Sequence, residues 1–166
     1  MKKILFTFLI IFLIFIIPAL HFIDKTYFLC PIEYKRYIII RRDDLGSGEF
    51  EALRAGGRKH EGIDLYAQIG TEVRAARFGR VAEAGYHKNL GNYLELHHPD
   101  KLASIYGHLQ GILVKPGQWV AQGEVIGRVG KSGNAGHPNI LPHLHFEVRR
   151  NNAPINPLKW LEKQGG

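Results

Sequence analysis

The sequence predicts an all-β domain behind an N-terminal transmembrane helix. Three observations carry this. From His60 onward the chain reads as short apolar runs cut by glycine, the spacing of an antiparallel all-β domain. Two stretches of it echo one another, which suggests two related hairpin halves packed as one β-sandwich. Ahead of them, Ile4 to Ile23 is an apolar run of 20 residues, the length of a membrane-spanning helix.

The N-terminal run has no polar face, so it does not read as a buried core helix. Lys2 and Lys3 precede it and Asp24-Lys25 close it. A cleaved signal peptide would be shorter and end in small residues. Here Ala19 stands alone, and Ile17 occupies the place of the second small residue. The reading is an uncleaved signal anchor over residues 1–23, with cleaved secretion as its competitor. Cys30 does not suit a lipidation site, because Tyr27-Phe28-Leu29 before it are bulky. Lys25, Lys35, Arg36, Arg41 and Arg42 outnumber Lys2 and Lys3, so the positive-inside rule alone would keep the domain inside. Large domains translocate regardless of such charges, and the chemistry below favours export.

Residues 24–59 read as a connecting region. Tyr37–Ile40 suits a short strand, and Asp43-Asp44-Leu45-Gly46-Ser47-Gly48 is rich in turn residues. The domain proper then runs over 60–166. Its predicted strands are Phe78–Ala84, Tyr93–His98, Ala103–His108, Glu124–Val129 and His143–Val148, with a helical turn over Pro157–Lys163. The echo pairs Gly70-Thr71-Glu72-Val73 and Gly79-Arg80-Val81 with Gly117-Gln118-Trp119-Val120 and Gly127-Arg128-Val129.

Composition narrows the chemistry. The 166 residues contain one cysteine and nine histidines, so a metal must be held by imidazole and carboxylate. A net charge of +7 suits a polyanionic partner, yet the basic residues are scattered singly and in pairs among acids. No basic patch on a recognisable module points to nucleic acid.

The histidines form a constellation. In a strand, His143, His145 and Glu147 share one face while Leu144, Phe146 and Val148 share the other, which must be the core. His60 and Asp64 lie in no helix, and a straight strand would part their Cα atoms by roughly 13 Å. Both can reach one ion only if the chain bends, and Gly62 is where a bend costs least. In Ser104-Ile105-Tyr106-Gly107-His108-Leu109, alternation places Tyr106 and His108 on one face, opposite Ile105 and Leu109. Together His60, Asp64 and His145 offer two imidazoles and a carboxylate. Three protein ligands with an open fourth position is the catalytic zinc arrangement, and His108 and His143 are left to sit beside it.

These motifs resemble the lysostaphin-like, LytM-type zinc metallopeptidases that act on peptidoglycan. Besides the histidine motifs, Gly-Thr-Glu-Val at 70–73, Pro116-Gly117-Gln118 and Gly127-Arg128-Val129-Gly130 match, and the resemblance begins near residue 43. It implies an antiparallel fold with an open substrate groove and one zinc held by His60, Asp64 and His145. It implies catalytic roles for His108 and His143, without fixing which is the general base. The expected reaction is endopeptidase hydrolysis in peptidoglycan stems or cross-links, outside the cytoplasmic membrane. The alternative is a non-catalytic relative that binds the wall and activates another hydrolase. The 134–142 loop is longer than is common in the family and is expected to border the groove, with His137 a surface residue. His97 is expected as a groove-side packing residue rather than a ligand.

Overall fold

The computed structural model describes residue 12 and residues 23–34 and 36–161. The predicted signal anchor therefore lies almost wholly outside the described residues. Among those residues no helix is long and apolar enough to cross a membrane.

Among the described residues eleven strands run in order: β1 (Arg42–Asp43), β2 (Gly46–Ser47), β3 (Ile63–Tyr66), β4 (Glu72–Arg74), β5 (Gly79–His87), β6 (Gly91–His97), β7 (Leu102–Ile112), β8 (Trp119–Val120), β9 (Val125–Val129), β10 (His143–Arg150) and β11 (Ala153–Ile155). β1 and β2 form a small ribbon. The other nine join in one branched sheet whose spine is β11-β10-β7-β6-β5-β8, with every pairing antiparallel. The five predicted strands are all present, most of them longer than predicted. Pro157–Lys159 makes the helical turn as a single 3-10 turn, capped by the Asn156 side chain accepting from Leu158 N–H. The short strands β3, β4, β8 and β11 are too brief for their alternation to stand out in sequence.

Two expectations are corrected. The echoing segments do not close as two hairpin halves. β4 pairs with β9, and β5 pairs with β8, so each half of the echo is completed by the other. Val73, Val81, Val120, Ile126 and Val129 from both copies meet in one core, and that shared burial favours the cross-pairing. Tyr37–Ile40 is no strand. Only Ile40 forms a bridge, to Leu65, while Tyr37 and Ile39 face solvent.

The core is built by alternation. Leu144, Phe146 and Val148 of β10 meet Ile63 and Leu65 of β3 and Leu94 and Leu96 of β6 in one fully buried cluster. Tyr106 lies inside it, its ring tilted against Phe146. The Tyr106 hydroxyl accepts from Ala76 N–H and bonds Ser104, which bonds His98 Nε2, whose Nδ1–H donates to the Phe78 carbonyl. Every polar atom in that chain has a partner, as burial requires.

The stretch before β3 is part of the same body. Phe28, Cys30 and Ile32 are buried in the core. Leu29 N–H donates to Ala76 O, and Arg74 N–H donates to Pro31 O. The Arg77 guanidinium, 1% exposed, forks onto both Asp24 oxygens at 2.5 and 2.7 Å. Burial pushes the free Cys30 thiol up to about 11, so it is an inert packing residue.

Candidate metal centre

The sheet forks at β7. Along one edge of β7, β10 pairs over Leu102–Gly107 and β9 takes over from Leu109. His108 sits at the changeover with φ +61°, a left-handed conformation rare for any residue but glycine. Its N–H donates to Leu90 O at 2.6 Å, and the β6–β7 register slips between Asn92 and Leu94. This bulge breaks the alternation read from sequence. Tyr106 and Leu109 go to the core, and His108 turns to the opposite face, beside His143 and His145. The expected shared face of Tyr106 and His108 is thereby corrected. A bulge inserts an extra residue and re-aims a side chain, which a strict two-residue period cannot anticipate.

On β10 the alternation holds. His143, His145 and Glu147 lie on the face away from Leu144, Phe146 and Val148. β3 pairs with β10 so that Asp64 stands directly across from His145. His60 joins them because the chain bends at Glu61–Gly62 just before β3. Gly62 is required there by close approach. A Cβ at that position would lie 2.4 Å from the Phe146 carbonyl oxygen.

The result is a compact triangle. His60 Nε2, Asp64 Oδ1 and His145 Nδ1 are separated by 3.0, 3.0 and 3.1 Å. Tetrahedral ligands at ~2.0–2.1 Å from zinc stand about 3.3 Å apart, so these three atoms fit one face of such a site. Their protonation fits as well. His60 Nδ1 lies 2.8 Å from the Glu49 carbonyl, which only accepts, so Nδ1 holds the proton and Nε2 presents a lone pair. His145 Nε2 lies 2.9 Å from Glu147 Oε1 and donates to it, leaving Nδ1 free for a cation. Three lone-pair donors thus converge on one point, an arrangement that calls for a positive charge at its centre.

The electrostatics show the same demand for positive charge, which a proton on His145 meets when no metal is bound. Burial alone would lower His145, but Asp64 and Glu147 outweigh it and push it up to about 9. Burial alone would raise the Asp64 carboxyl, but the His145 and His60 imidazoles beside it hold it well below the usual range. Glu147 is likewise held low against burial by His145 and Arg149, and Arg149 bridges on to Glu61.

Two further imidazoles flank the triangle. His143 Nδ1–H donates to Leu141 O at 2.7 Å, and His108 Nδ1–H donates to Ser132 O at 3.0 Å. Their Nε2 atoms are the ones left for chemistry, and His143 Nε2 lies 3.8 Å from Asp64 Oδ1. Burial, with help from His145 and His143, pushes His108 down to about 3, and burial pushes His143 down to about 4. Both are neutral at pH 7. The five side chains are 2–6% exposed, so access to them is narrow.

Residues that the sequence reading passed over complete the setting. Arg41 and Arg54 both donate to Asp64 Oδ2. Arg41 also holds Asp43, whose Oδ2 accepts from Leu141 N–H, two residues before His143. Ser132 Oγ accepts from Asn92 N–H and donates to Leu109 O, fixing the carbonyl that orients His108. No spacing rule marks these residues, since Arg41 meets Asp64 from 23 positions away. His137 is an exposed loop residue. His97 is on the surface rather than packed, its side chain 63% exposed and paired with Glu95.

Known proteins share this arrangement of chain. Peptidase family M23 matches residues 58–157. The peptidoglycan DD-endopeptidase ShyC of Vibrio cholerae is 38% identical over 133 residues, covering 80% of this chain and 29% of that protein. The chain thus spans less than a third of that relative's length. A zinc-containing peptidase from Vibrio cholerae superposes with a TM-score of 0.66 at 30% identity, over 81% of this chain and 40% of that one. The catalytic domain of lysostaphin from Staphylococcus simulans superposes with a TM-score of 0.60 at 31% identity, over 74% of this chain and 93% of that domain. With residues 58–157 matched by the family and the fold shared with these peptidases, the chain belongs to peptidase family M23, the lysostaphin-like, LytM-type peptidases.

Proposed function

We propose that the protein is a zinc endopeptidase of the cell envelope that hydrolyses peptide bonds in peptidoglycan stems or cross-links. The segment of residues 1–23, with its apolar run from Ile4, anchors it to the cytoplasmic membrane, with the domain outside the cytoplasm. The observation that carries this reading is the triangle of His60 Nε2, Asp64 Oδ1 and His145 Nδ1 with two neutral imidazoles beside it. ShyC, a relative described as a peptidoglycan DD-endopeptidase, supports the substrate class. The net charge of +7 suits an anionic envelope.

The three ligands would hold one zinc ion, which supplies Lewis-acid polarisation of the scissile carbonyl and lowers the pKa of bound water toward 7. The chain's own residues do the rest. Glu147 accepts from His145 Nε2–H and fixes the tautomer that leaves Nδ1 for the metal. His108 and His143 present unprotonated Nε2 atoms to the same space, and a pair of such imidazoles can take a proton from water and return it to the leaving amine. Burial of the site excludes bulk water and strengthens each of these interactions.

The test is digestion of purified peptidoglycan by the full chain, with bound zinc measured in parallel, beside His145→Ala. New peptide ends from the wild type and none from the variant are expected. Zinc binding by a folded wild type that releases no ends would favour the non-catalytic wall-binding reading instead.

A further inference from the structure

The two oxygens of Asp64 live in different surroundings. Oδ1 faces His60 Nε2 and His145 Nδ1. Oδ2 faces away and is surrounded by guanidinium. Arg54 Nη2 donates to it at 2.9 Å, and Arg41 reaches it with Nη2 at 3.1 Å and Nε at 3.3 Å. A carboxylate oxygen has two lone pairs, and two separate guanidiniums use both on Oδ2. Oδ1 alone is left for a cation.

Both arginines are fixed. Arg41 is 4% exposed, and its Nη1 is tied to Asp43 at 2.5 Å. Arg54 Nη1 donates to the Ser47 carbonyl at 2.7 Å. Gly48 lets this strap lie against β3, since a Cβ there would stand 2.6 Å from the Asp64 Cβ. The strap also supplies the Glu49 carbonyl that sets the His60 tautomer. Arg41 and Arg54 lie before residue 58, where the family match begins.

Resting on the zinc-site reading above, we propose that Arg41 and Arg54 are positioning residues that confine Asp64 to one-oxygen coordination. A carboxylate free at both oxygens readily binds a metal with both, and the second would take the place a substrate carbonyl needs. Two guanidiniums on Oδ2 forbid that. They also draw charge from the carboxylate, which leaves a bound metal a stronger Lewis acid. Two arginines balance Asp43 and Asp64, so the buried cluster is neutral before any metal enters.

Cobalt substitution of the full-length protein tests this directly. Wild type is compared with Arg54→Ala, Arg54→Gln and Arg54→Lys. Arg54 is the position of choice because its side chain is 22% exposed, against 5% for Arg41. The wild type takes up one cobalt with the strong visible bands of four-coordination. In Arg54→Ala the bands weaken at least twofold as Asp64 closes on the metal with both oxygens, and kcat falls at least tenfold with KM within twofold. Arg54→Lys restores at least half of the lost band intensity. Arg54→Gln serves if the alanine variant fails to fold, and is expected to behave as the alanine variant does. A wild-type cobalt spectrum and wild-type kcat in a folded Arg54→Ala or Arg54→Gln, with only the melting temperature lowered, would overturn the proposal and leave Arg54 as a loop tie to Ser47. A wild type that takes up no cobalt would overturn the zinc-site reading itself, and this proposal with it.

Discussion

Asp64 and His145 face one another across β3 and β10, with Oδ1 and Nδ1 3.0 Å apart. The far nitrogen of His145 is held by Glu147 at 2.9 Å. The register of two strands thus aligns a carboxylate, an imidazole and a second carboxylate in one line. Glu147→Gln keeps the shape and removes the charge that secures the tautomer. It is expected to weaken zinc binding by about 10–100-fold, read by competition with a chelating dye. His145→Ala is expected to abolish stoichiometric zinc binding.

His108 has two separable roles. Its left-handed backbone makes the bulge, and its side chain lies beside His143 and His145, where a catalytic part is proposed for it. Asparagine tolerates that backbone. His108→Asn is therefore expected to melt within a few degrees of wild type while kcat falls by about 10²–10⁴. His108→Val, β-branched and strained at positive φ, is expected to lose a further 1–3 kcal/mol or so of stability by urea titration.

Gly62 allows the bend that joins His60 to Asp64. Its missing side chain would meet the Phe146 carbonyl oxygen at 2.4 Å, and that carbonyl belongs to a central strand that cannot yield. Gly62→Ala is expected to cost about 2–3 kcal/mol in denaturant unfolding and to reduce zinc occupancy.

His98 makes stability depend on pH away from the metal centre. Burial pushes it from 6.5 down to about 4 in the folded protein. The unfolded chain therefore binds a proton first as pH falls. Stability from this group is complete above pH 6.5 and is lost between 6.5 and about 4, amounting to about 3 kcal/mol at the lower end. Urea midpoints measured across that window should fall with acid, and His98→Gln should flatten the slope.

Much of this was legible in sequence because it follows from period. Alternation in His143–Val148 placed three polar residues on one side and three core residues on the other, as found. Glycine marked the bend at 62 for a backbone reason, although its requirement is the approach of Phe146 rather than a left-handed turn. The reading failed where geometry leaves the period. His108 departs from Tyr106 through a single positive φ that no local pattern announces. Arg41 and Arg54 were invisible because an arginine in a turn-rich stretch looks solvated, and only the fold brings it to Asp64. The crosswise pairing of β4 with β9 and β5 with β8 depends on which valines share a core, and adjacency in the chain does not decide that.

The buried start of the chain has a practical side. The family match opens at residue 58, which invites cutting there to obtain a minimal peptidase. Such a fragment would lose Phe28, Cys30 and Ile32 from the interior, the carbonyl partner of His60, and both cations that quiet Asp64 Oδ2. It would also leave the guanidinium of Arg77, 1% exposed, without its Asp24 counter-ion. A piece that keeps all of these contacts begins at Asp24, immediately after the apolar run.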